Sequence, residues 1–298
     1  MALGQTLCGV SGILVTPFDD KGVLAPPRLV PIIDRAVGAG VDILTVNGNT
    51  GEFYGLTTSE AVCMVQSVCD LVDGRIPVVA GVGRALPDAI ALARASVVAG
   101  ADALMIHQPP DPFVAPRGVR DYIRAIRDAA GDVPLILYLR NDGIGLDAIS
   151  QICAIEGVIG VKWATPNPMM LKRAIAAAPD HIIWVGGLAE VWAPSFYAVG
   201  ARGFTSGLIN VWPAHSVAIN RALEAGDFDH ARALIVRMQV FEDIRADEQG
   251  GANVSGVKTA LAMLGNDCGA ARPPAAWPLT DDQHTLLKHF MIKNELIS

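Results

Sequence analysis

Lys162 ends an apolar run of the sequence, a position in which a lysine side chain can be reactive. Lys162 closes the apolar run Val158-Ile-Gly-Val-Lys, and the nearest preceding acid, Glu156, lies before that run begins. Burying an ammonium group in such surroundings is costly, so desolvation favours the neutral amine. A neutral amine at physiological pH can attack a carbonyl carbon and form an imine. The alternative interpretation is a lysine whose head group reaches solvent past the end of the run.

Three more reactive side chains follow apolar runs. Tyr138 ends Leu135–Tyr138 and can move protons to and from a substrate, or it can be a core side chain with a satisfied hydroxyl. Arg140, two residues later, can clamp a second carboxylate or a polyol end, or it can be solvated. His107 ends the run Ala103–His107 and can touch substrate, although a lone histidine in such a place is more often structural.

Small residues follow three further runs. Gly48-Asn49-Thr50-Gly51-Glu52 combines two glycines, which let the backbone approach a ligand, with amides and a hydroxyl that suit a carboxylate. The same pattern is compatible with an ordinary turn between a strand and a helix. Gly186-Gly187 and Ser206-Gly207 end two later runs, so Gly187 and Ser206 join the candidates for substrate binding.

These candidates belong to a regular alternation of short β-branched runs and helical patterns. The alternation predicts an α/β protein with a parallel sheet covered by helices. The predicted strands are Val10–Val15, Ile43–Asn47, Val78–Val82, Ala103–His107, Leu135–Tyr138, Val158–Lys162, Ile182–Gly186 and Gly203–Ser206. Eight such units match a closed (β/α)₈ TIM barrel, whose catalytic groups lie where strands end. A doubly wound sheet would need fewer strands.

The strand pattern stops after Ala225. Three further helices are predicted, at Asp227–Ala246, Val254–Leu264 and Asp281–Leu296. We therefore divide the chain into a barrel over residues 1–225 and a C-terminal three-helix extension over residues 226–298.

The composition excludes several classes of protein. At 298 residues and 51% hydrophobic content, the chain can bury the core of one large domain. A net charge of −7 offers no basic stripe, so neither nucleic acid nor an anionic membrane surface is an expected partner. The five cysteines are odd in number and lack C-x-x-C pairing, which is typical of reduced thiols in the cytoplasm. No export signal or membrane-spanning run is expected.

Motifs for metals and cofactors are also missing from the sequence. It contains no H-E-x-x-H, no clustered His/Cys/carboxylate spacing, no G-x-S-x-G elbow and no Walker loop. Gly81-Val82-Gly83-Arg84 lacks the third glycine of a dinucleotide fingerprint. We expect neither a metal nor a cofactor, in keeping with chemistry that a lysine imine performs unaided.

An ordered set of motifs resembles a known family. Gly48-x-Thr50-Gly51-Glu52, Tyr138 and Gly160-Val161-Lys162 together resemble the dihydrodipicolinate synthase and N-acetylneuraminate lyase family. The similarity runs from Gly12-Ile-Leu-Val-Thr-Pro-Phe18 to the segment 200–213. It implies a TIM barrel with a helical extension, a homotetramer or homodimer, and a small 2-oxo acid bound as an imine of Lys162. By match, Thr50 and Gly51 would hold its carboxylate by hydroxyl and amide, while Tyr138 would move protons.

Departures from the family pattern bear on the reaction. Asn49 stands where synthases typically carry a hydroxyl residue, and Pro109-Pro110-Asp111-Pro112 replaces their paired tyrosines. Arg140 and Gly186-Gly187-Leu188 look more like the family's 5-dehydro-4-deoxyglucarate dehydratases. The resemblance therefore implies a lyase for dehydration or aldol cleavage of a 2-oxo-3-deoxy sugar acid.

Two alternatives stay open. One is 4-hydroxy-tetrahydrodipicolinate synthase activity, which condenses pyruvate with aspartate semialdehyde, and the other is a non-catalytic ligand-binding barrel. The expected catalytic residues are Lys162 and Tyr138, and the expected substrate-binding residues are Asn49, Thr50, Gly51, Arg140, Gly187 and Ser206.

Overall fold

The computed structural model describes residues 3–111 and 113–298. Its centre is a closed barrel of eight parallel strands in chain order. The strands are β1 (Val10–Ile13), β2 (Ile43–Val46), β3 (Val78–Val82), β4 (Ala103–His107), β5 (Leu135–Leu139), β6 (Val158–Trp163), β7 (Ile183–Gly186) and β8 (Gly203–Ser206). The (β/α)₈ barrel predicted from the alternation is confirmed. Pro112, in the loop that replaces the paired tyrosines, lies outside the described residues.

Helices surround the barrel and follow its last strand. Those up to the end of the barrel are α1 (Leu3–Thr6), α2 (Val30–Ala39), α3 (Thr58–Val72), α4 (Leu86–Val98), α5 (Pro116–Ala130), α6 (Leu146–Cys153), α7 (Pro168–Ala177), α8 (Ala189–Tyr197) and α9 (Pro213–Glu224). Their ends carry familiar signals. Thr57 and Glu60 form a capping box at the start of α3, and Gly40 ends α2 at φ 86°.

Side-chain alternation along the strands decides what faces the barrel interior. Successive residues of a strand point to opposite faces. On β5, Leu137 and Leu139 pack outward against the helices, whereas Ile136 and Tyr138 belong to the small cluster inside the barrel. On β6, Val161 and Trp163 pack outward, which leaves the intervening Lys162 on the inner face. Because Tyr138 and Lys162 are register partners, their side chains enter the barrel next to each other.

The C-terminal extension consists of α10 (Phe228–Gly250), α11 (Asn253–Met263) and α12 (Asp281–Lys293). It packs on the barrel in part through Trp212, whose ring lies 6.4 Å from that of Phe290 on α12 between centroids. Within the extension, Phe241 on α10 packs against Phe290 at 5.8 Å. Helix α10 is regular to Ala246 and then broken over residues 247–249. The division after residue 225 remains our proposed boundary; it falls between α9 and α10. None of the helices in the described chain is long and apolar enough to cross a membrane.

Candidate active site

A cavity of about 630 Å³ opens at the carboxyl ends of the strands. This is the end of a TIM barrel at which catalytic residues are expected. The structure brings six of the eight candidates to its lining, namely Asn49, Thr50, Tyr138, Arg140, Lys162 and Gly187. Gly51 and Ser206 do not line it.

Lys162 is buried at the base of this cavity. Its side chain lies on the inner face of β6, and the residue is only 4% exposed. Burial, together with the positive charges of Arg140 and Arg245, lowers the pKa of its amine to about 7. The geometry therefore favours the buried neutral amine over a head group that reaches solvent.

Tyr138 lies beside the amine. The Lys162 Nζ is 4.1 Å from the centroid of the Tyr138 ring. Burial raises the pKa of the phenol to about 12, against the lowering effect of Arg140, so the hydroxyl is neutral at physiological pH. It accepts a hydrogen bond from the Asn49 Nδ2 at 2.9 Å, which leaves its own proton free to be donated. Tyr138 is thus a core side chain that also lines the cavity.

Asn49 links two parts of the site. Its Nδ2 donates a hydrogen bond to the Tyr138 hydroxyl at 2.9 Å and so orients it. Its Oδ1 is buried and has no hydrogen-bond partner among the described residues. A buried acceptor of this kind normally has a partner. Because Asn49 also lines the cavity, a substrate hydroxyl is a suitable donor to it.

The loop after β2 differs from expectation at Gly51. The Gly51 amide donates to the Gly48 carbonyl at 3.0 Å, and the Gly51 carbonyl accepts from the Thr16 Oγ1 at 2.6 Å. A Cβ at this position would lie 3.0 Å from the Leu14 carbonyl oxygen, so the close approach favours glycine. Gly51 shapes the loop, and its amide is already engaged there. Thr50 is the residue of the pair that faces the cavity.

Ser206 also differs from expectation. Its hydroxyl donates to the Glu190 Oε1 at 2.5 Å and lies 3.0 Å from the Ser216 hydroxyl. All three side chains are fully buried behind the cavity wall. The next residue, Gly207, is the one that lines the cavity. Adjacent residues therefore have different places: Gly207 lines the cavity, and Ser206 belongs to the hydrogen-bonded group behind the cavity wall.

The carboxyl group of Glu190 is unusual in this network. Burial raises its pKa, and the neighbouring carboxylate of Glu242 raises it further. The hydrogen bonds from Ser206 and Ser216 reach only Oε1, while Oε2 has no partner within the described structure. Glu190 therefore favours the protonated form more than an exposed glutamate does.

His107 has a structural environment. It is 1% exposed, and its ring stacks on Phe53 at 4.2 Å between centroids. Its Nε2 donates to the Asn47 carbonyl at 2.9 Å. Burial lowers its pKa to about 3, so the ring is neutral at physiological pH. The ring packs edge-on against Tyr138 at 5.2 Å and supports the phenol from behind the cavity.

Gln108 fixes the backbone that carries Arg140. Its Oε1 accepts hydrogen bonds from the amides of Arg140 and Asn141, both at 2.8 Å. Its Nε2 donates to the Asn141 carbonyl at 3.0 Å. The side chain of Gln108 therefore holds the backbone at the start of the loop after β5. The Arg140 side chain itself is exposed at the cavity mouth.

One wall of the cavity comes from the C-terminal extension, which the sequence did not point to. Glu242 and Arg245 on α10 and Asn253 on α11 line the cavity. Charged residues within a helical pattern are typical of a solvated surface, so their types alone carry no signal. The described residues contain no group of three or more histidine, cysteine or acidic side chains arranged to hold a metal ion.

The sequence of this chain is similar to those of known proteins. Residues 6–293 match the model of the dihydrodipicolinate synthetase family. The chain is 28% identical over 285 residues to a probable 5-dehydro-4-deoxyglucarate dehydratase of Bacillus subtilis, which covers 94% of this chain and 92% of that protein. It is 30% identical over 275 residues to a 4-hydroxy-tetrahydrodipicolinate synthase of Methanothermobacter thermautotrophicus, covering 89% and 95%.

Solved structures are similar over nearly the whole chain. The dihydrodipicolinate synthase from Bacillus clausii superposes with a TM-score of 0.94 at 35% identity, covering 98% of this chain and 99% of that one.

Proposed function

Because this chain belongs to the dihydrodipicolinate synthetase family and is a lyase, we propose that it dehydrates or cleaves a 2-oxo-3-deoxy sugar acid through an imine of Lys162. The observation that carries the proposal is the Lys162 amine, buried in the cavity with a pKa of about 7 beside the Tyr138 phenol. An amine that is substantially uncharged at neutral pH can attack a ketone carbon.

The reaction begins at the keto carbon. The Lys162 amine adds to C2, water leaves, and the resulting iminium acts as an electron sink. In dehydration, a proton leaves C3 and the enamine then expels the C4 hydroxyl as water. In aldol cleavage, the C4 hydroxyl loses its proton and the C3–C4 bond breaks, which gives an aldehyde and an enamine. A proton added at C3 then converts this enamine to the imine of the shortened acid. Hydrolysis of the imine returns the free lysine.

The other cavity residues divide the remaining tasks. Thr50 binds the C1 carboxylate, and Arg140 binds the distal end of the substrate, because an arginine suits a carboxylate or a polyol. Tyr138 carries the protons, with Asn49 holding its hydroxyl at 2.9 Å. Gly187 leaves room beside Lys162: a Cβ there would lie 3.0 Å from the Lys162 Cγ.

Condensation of pyruvate with aspartate semialdehyde is the second candidate. It is supported by the similarity to proteins named as synthases, at 30% and 35% identity. Asn49, in place of a hydroxyl residue, and the proline-rich loop after β4 favour the sugar-acid reaction instead. A non-catalytic barrel would keep its ligand affinity in a Lys162→Met variant.

Borohydride trapping tests the step shared by both reactions. The protein is incubated with pyruvate and borohydride and then digested, and the expected result is a mass shift on the peptide that contains Lys162. Lys162→Met is the control and should show no adduct. An adduct on another lysine, or none at all in the unmodified protein, contradicts the proposal. Product analysis with a panel of sugar acids and with aspartate semialdehyde then separates the two reactions.

We further propose a homotetramer or homodimer that works in the cytoplasm. The five cysteines are free thiols, and burial raises the pKa of Cys153 to about 12, which suits a reducing compartment. Light scattering should give two or four times the mass of one chain. A mass of one chain at micromolar concentration would contradict the assembly.

A further inference from the structure

The wall of the cavity formed by α10 is polar and has a regular pattern. Gln239, Glu242, Asp243 and Ala246 line the cavity at spacings of three and four residues, which places them on one face of the helix. This face lies at the same cavity as Lys162 and Thr50. The cavity, at about 630 Å³, is much larger than a three-carbon acid needs.

Glu242 is fixed on this wall by a buried ion pair. Its carboxylate pairs with the Arg245 guanidinium, and the two side chains are 10% and 9% exposed. The Arg245 Nε and Nη2 donate to the Asn253 Oδ1 at 3.0 and 2.7 Å. The Arg245 guanidinium therefore pairs with Glu242 through one nitrogen and donates to Asn253 on α11 through the other two. Glu242 keeps acceptor positions for a ligand, since an ionised carboxylate has about four.

The backbone beyond the pair is strained. Glu248 and Gln249 both adopt left-handed conformations, at φ 53° and 59°, which are unfavourable for residues other than glycine. The break is held by the Gln283 Nε2, which donates to the Asp247 Oδ2 at 2.9 Å. Gln249, at the end of the break, and Asn253, beyond it, line the cavity like the residues before the break. Strain of this kind concentrates at functional sites.

We propose that this face of α10 determines specificity, with Glu242 accepting hydrogen bonds from hydroxyl groups of the substrate beyond C3 and Arg245 positioning it. The inference rests on the proposed function, because Lys162 and Thr50 must hold C1 and C2 for the tail to reach this wall. A tail with several hydroxyl groups satisfies these acceptors, whereas pyruvate leaves them unfilled. A site built to bind substrate hydroxyls discriminates strongly against analogues that lack them.

The test compares two acids in the trapping reaction. Half-saturating concentrations for borohydride trapping are measured with pyruvate and with 2-oxo-3-deoxygluconate, so turnover is not required. In Glu242→Gln, the ratio of the 2-oxo-3-deoxygluconate value to the pyruvate value should rise about tenfold, which corresponds to one lost charge-assisted hydrogen bond. Glu242→Asp, which keeps the charge, should restore part of this loss.

The same helix offers a matched control. Asp229 and Arg232 form an i,i+3 pair like Glu242 and Arg245, but they are 88% and 73% exposed and do not line the cavity. Asp229→Asn should leave the ratio unchanged. If Glu242→Gln fails to fold, Glu242→Gln combined with Arg245→Met removes both buried charges and should raise the ratio by a similar factor.

The outcomes separate the two proposals. An unchanged ratio in a folded Glu242 variant, or equal changes for both acids, overturns the specificity role while the Lys162 imine stands. Absence of any trapped Lys162 adduct in the unmodified protein overturns the proposed function itself.

Discussion

At the residue scale, the proposed chemistry depends on the protonation state of Lys162. Burial is the main cause of its lowered pKa, and Arg140 and Arg245 add to the effect. The amine is protonated below its pKa and neutral above it. With a pKa of about 7, about one tenth of the amine is neutral at pH 6 and about nine tenths at pH 8.

The initial rate of borohydride trapping with pyruvate should therefore rise with pH, with a midpoint near pH 7, and level off above pH 8. An unperturbed lysine, with a pKa of about 10.4, would show a rate that continues to rise. Arg140→Gln removes a positive charge and should move the midpoint to higher pH, whereas the exposed Arg124→Gln should not. A midpoint above pH 9 in the unmodified protein contradicts the buried neutral amine.

Gly187 gives a second prediction at this scale. A Cβ there would lie 2.8 Å from the Trp163 carbonyl oxygen and 3.0 Å from the Lys162 Cγ. Gly187→Ala should reduce the trapping rate tenfold or more, because the lysine side chain must shift. Gly38→Ala is the control, since a Cβ there meets nothing within 4 Å and the residue lies in a helix. Equal trapping rates in the two variants would show that displacing the Lys162 side chain does not impair imine formation.

Gln108 gives a third prediction. Gln108→Ala removes the three hydrogen bonds that hold the backbone of Arg140 and Asn141, so Arg140 should lose its direction. The KM of a sugar-acid substrate should rise several-fold, with a smaller change in kcat, because the contact lies away from the reacting carbon. Gln108→Glu keeps both acceptor contacts and should show a smaller rise. A fall in kcat alone would argue for a different role.

At the scale of elements, the loop after β2 is tied to the C-terminal extension by a buried ion pair. The Lys258 Nζ on α11 lies 2.6 Å from the Glu52 Oε1, and the two side chains are 0% and 3% exposed. The amine also lies 4.4 Å from the centroid of the Phe18 ring. The Glu52 Oε2 accepts from the Arg272 amide at 2.7 Å. The C-terminal extension thus holds the loop that carries Asn49 and Thr50 through the Glu52 carboxylate.

Lys258→Met should lower the free energy of unfolding by about 3–5 kcal/mol, because it leaves the Glu52 carboxylate buried without its counter-charge. Adding Glu52→Gln should recover much of this loss, since the neutral amide keeps an acceptor for the Arg272 amide. Denaturant titration measures both. For comparison, Arg232→Ala removes an exposed pair and should cost no more than about 1 kcal/mol. Additive losses in the double variant would mean that the two residues act independently.

At the scale of the whole molecule, the extension completes both the core and the cavity. Helix α10 buries Met238, Phe241 and Ile244 against the rest of the protein. A chain ended at residue 225 would expose the surface that these side chains cover and would lack the α10 wall. We expect it to be aggregated or molten when expressed, as judged by near-UV circular dichroism and solubility. A soluble truncated protein with a cooperative melt would show that the barrel folds alone.

Much of the fold follows from local patterns in the sequence. Buried parallel strands are short apolar runs, and eight of them alternating with helices indicate a barrel. The inward position of Tyr138 and Lys162 follows from strand periodicity, because each is flanked by residues that pack outward. The sequence marked Lys162 as a candidate but left open a head group that reaches solvent, and the burial of its side chain in the structure decides between the two.

The sequence by itself therefore determined the barrel, the end of it that holds the cavity, and the lysine and tyrosine within it, because strand alternation and apolar content are local properties. Only the tertiary structure decided that Gly51 uses its amide within its own loop, that Ser206 bonds to Glu190, and that Glu242 reaches the cavity. The Gly51 hydrogen bond depends on the conformation of its loop. The Ser206 and Glu242 arrangements join segments that are separate in the chain, and they depend on how helices pack against the finished barrel. No spacing along the chain encodes that packing.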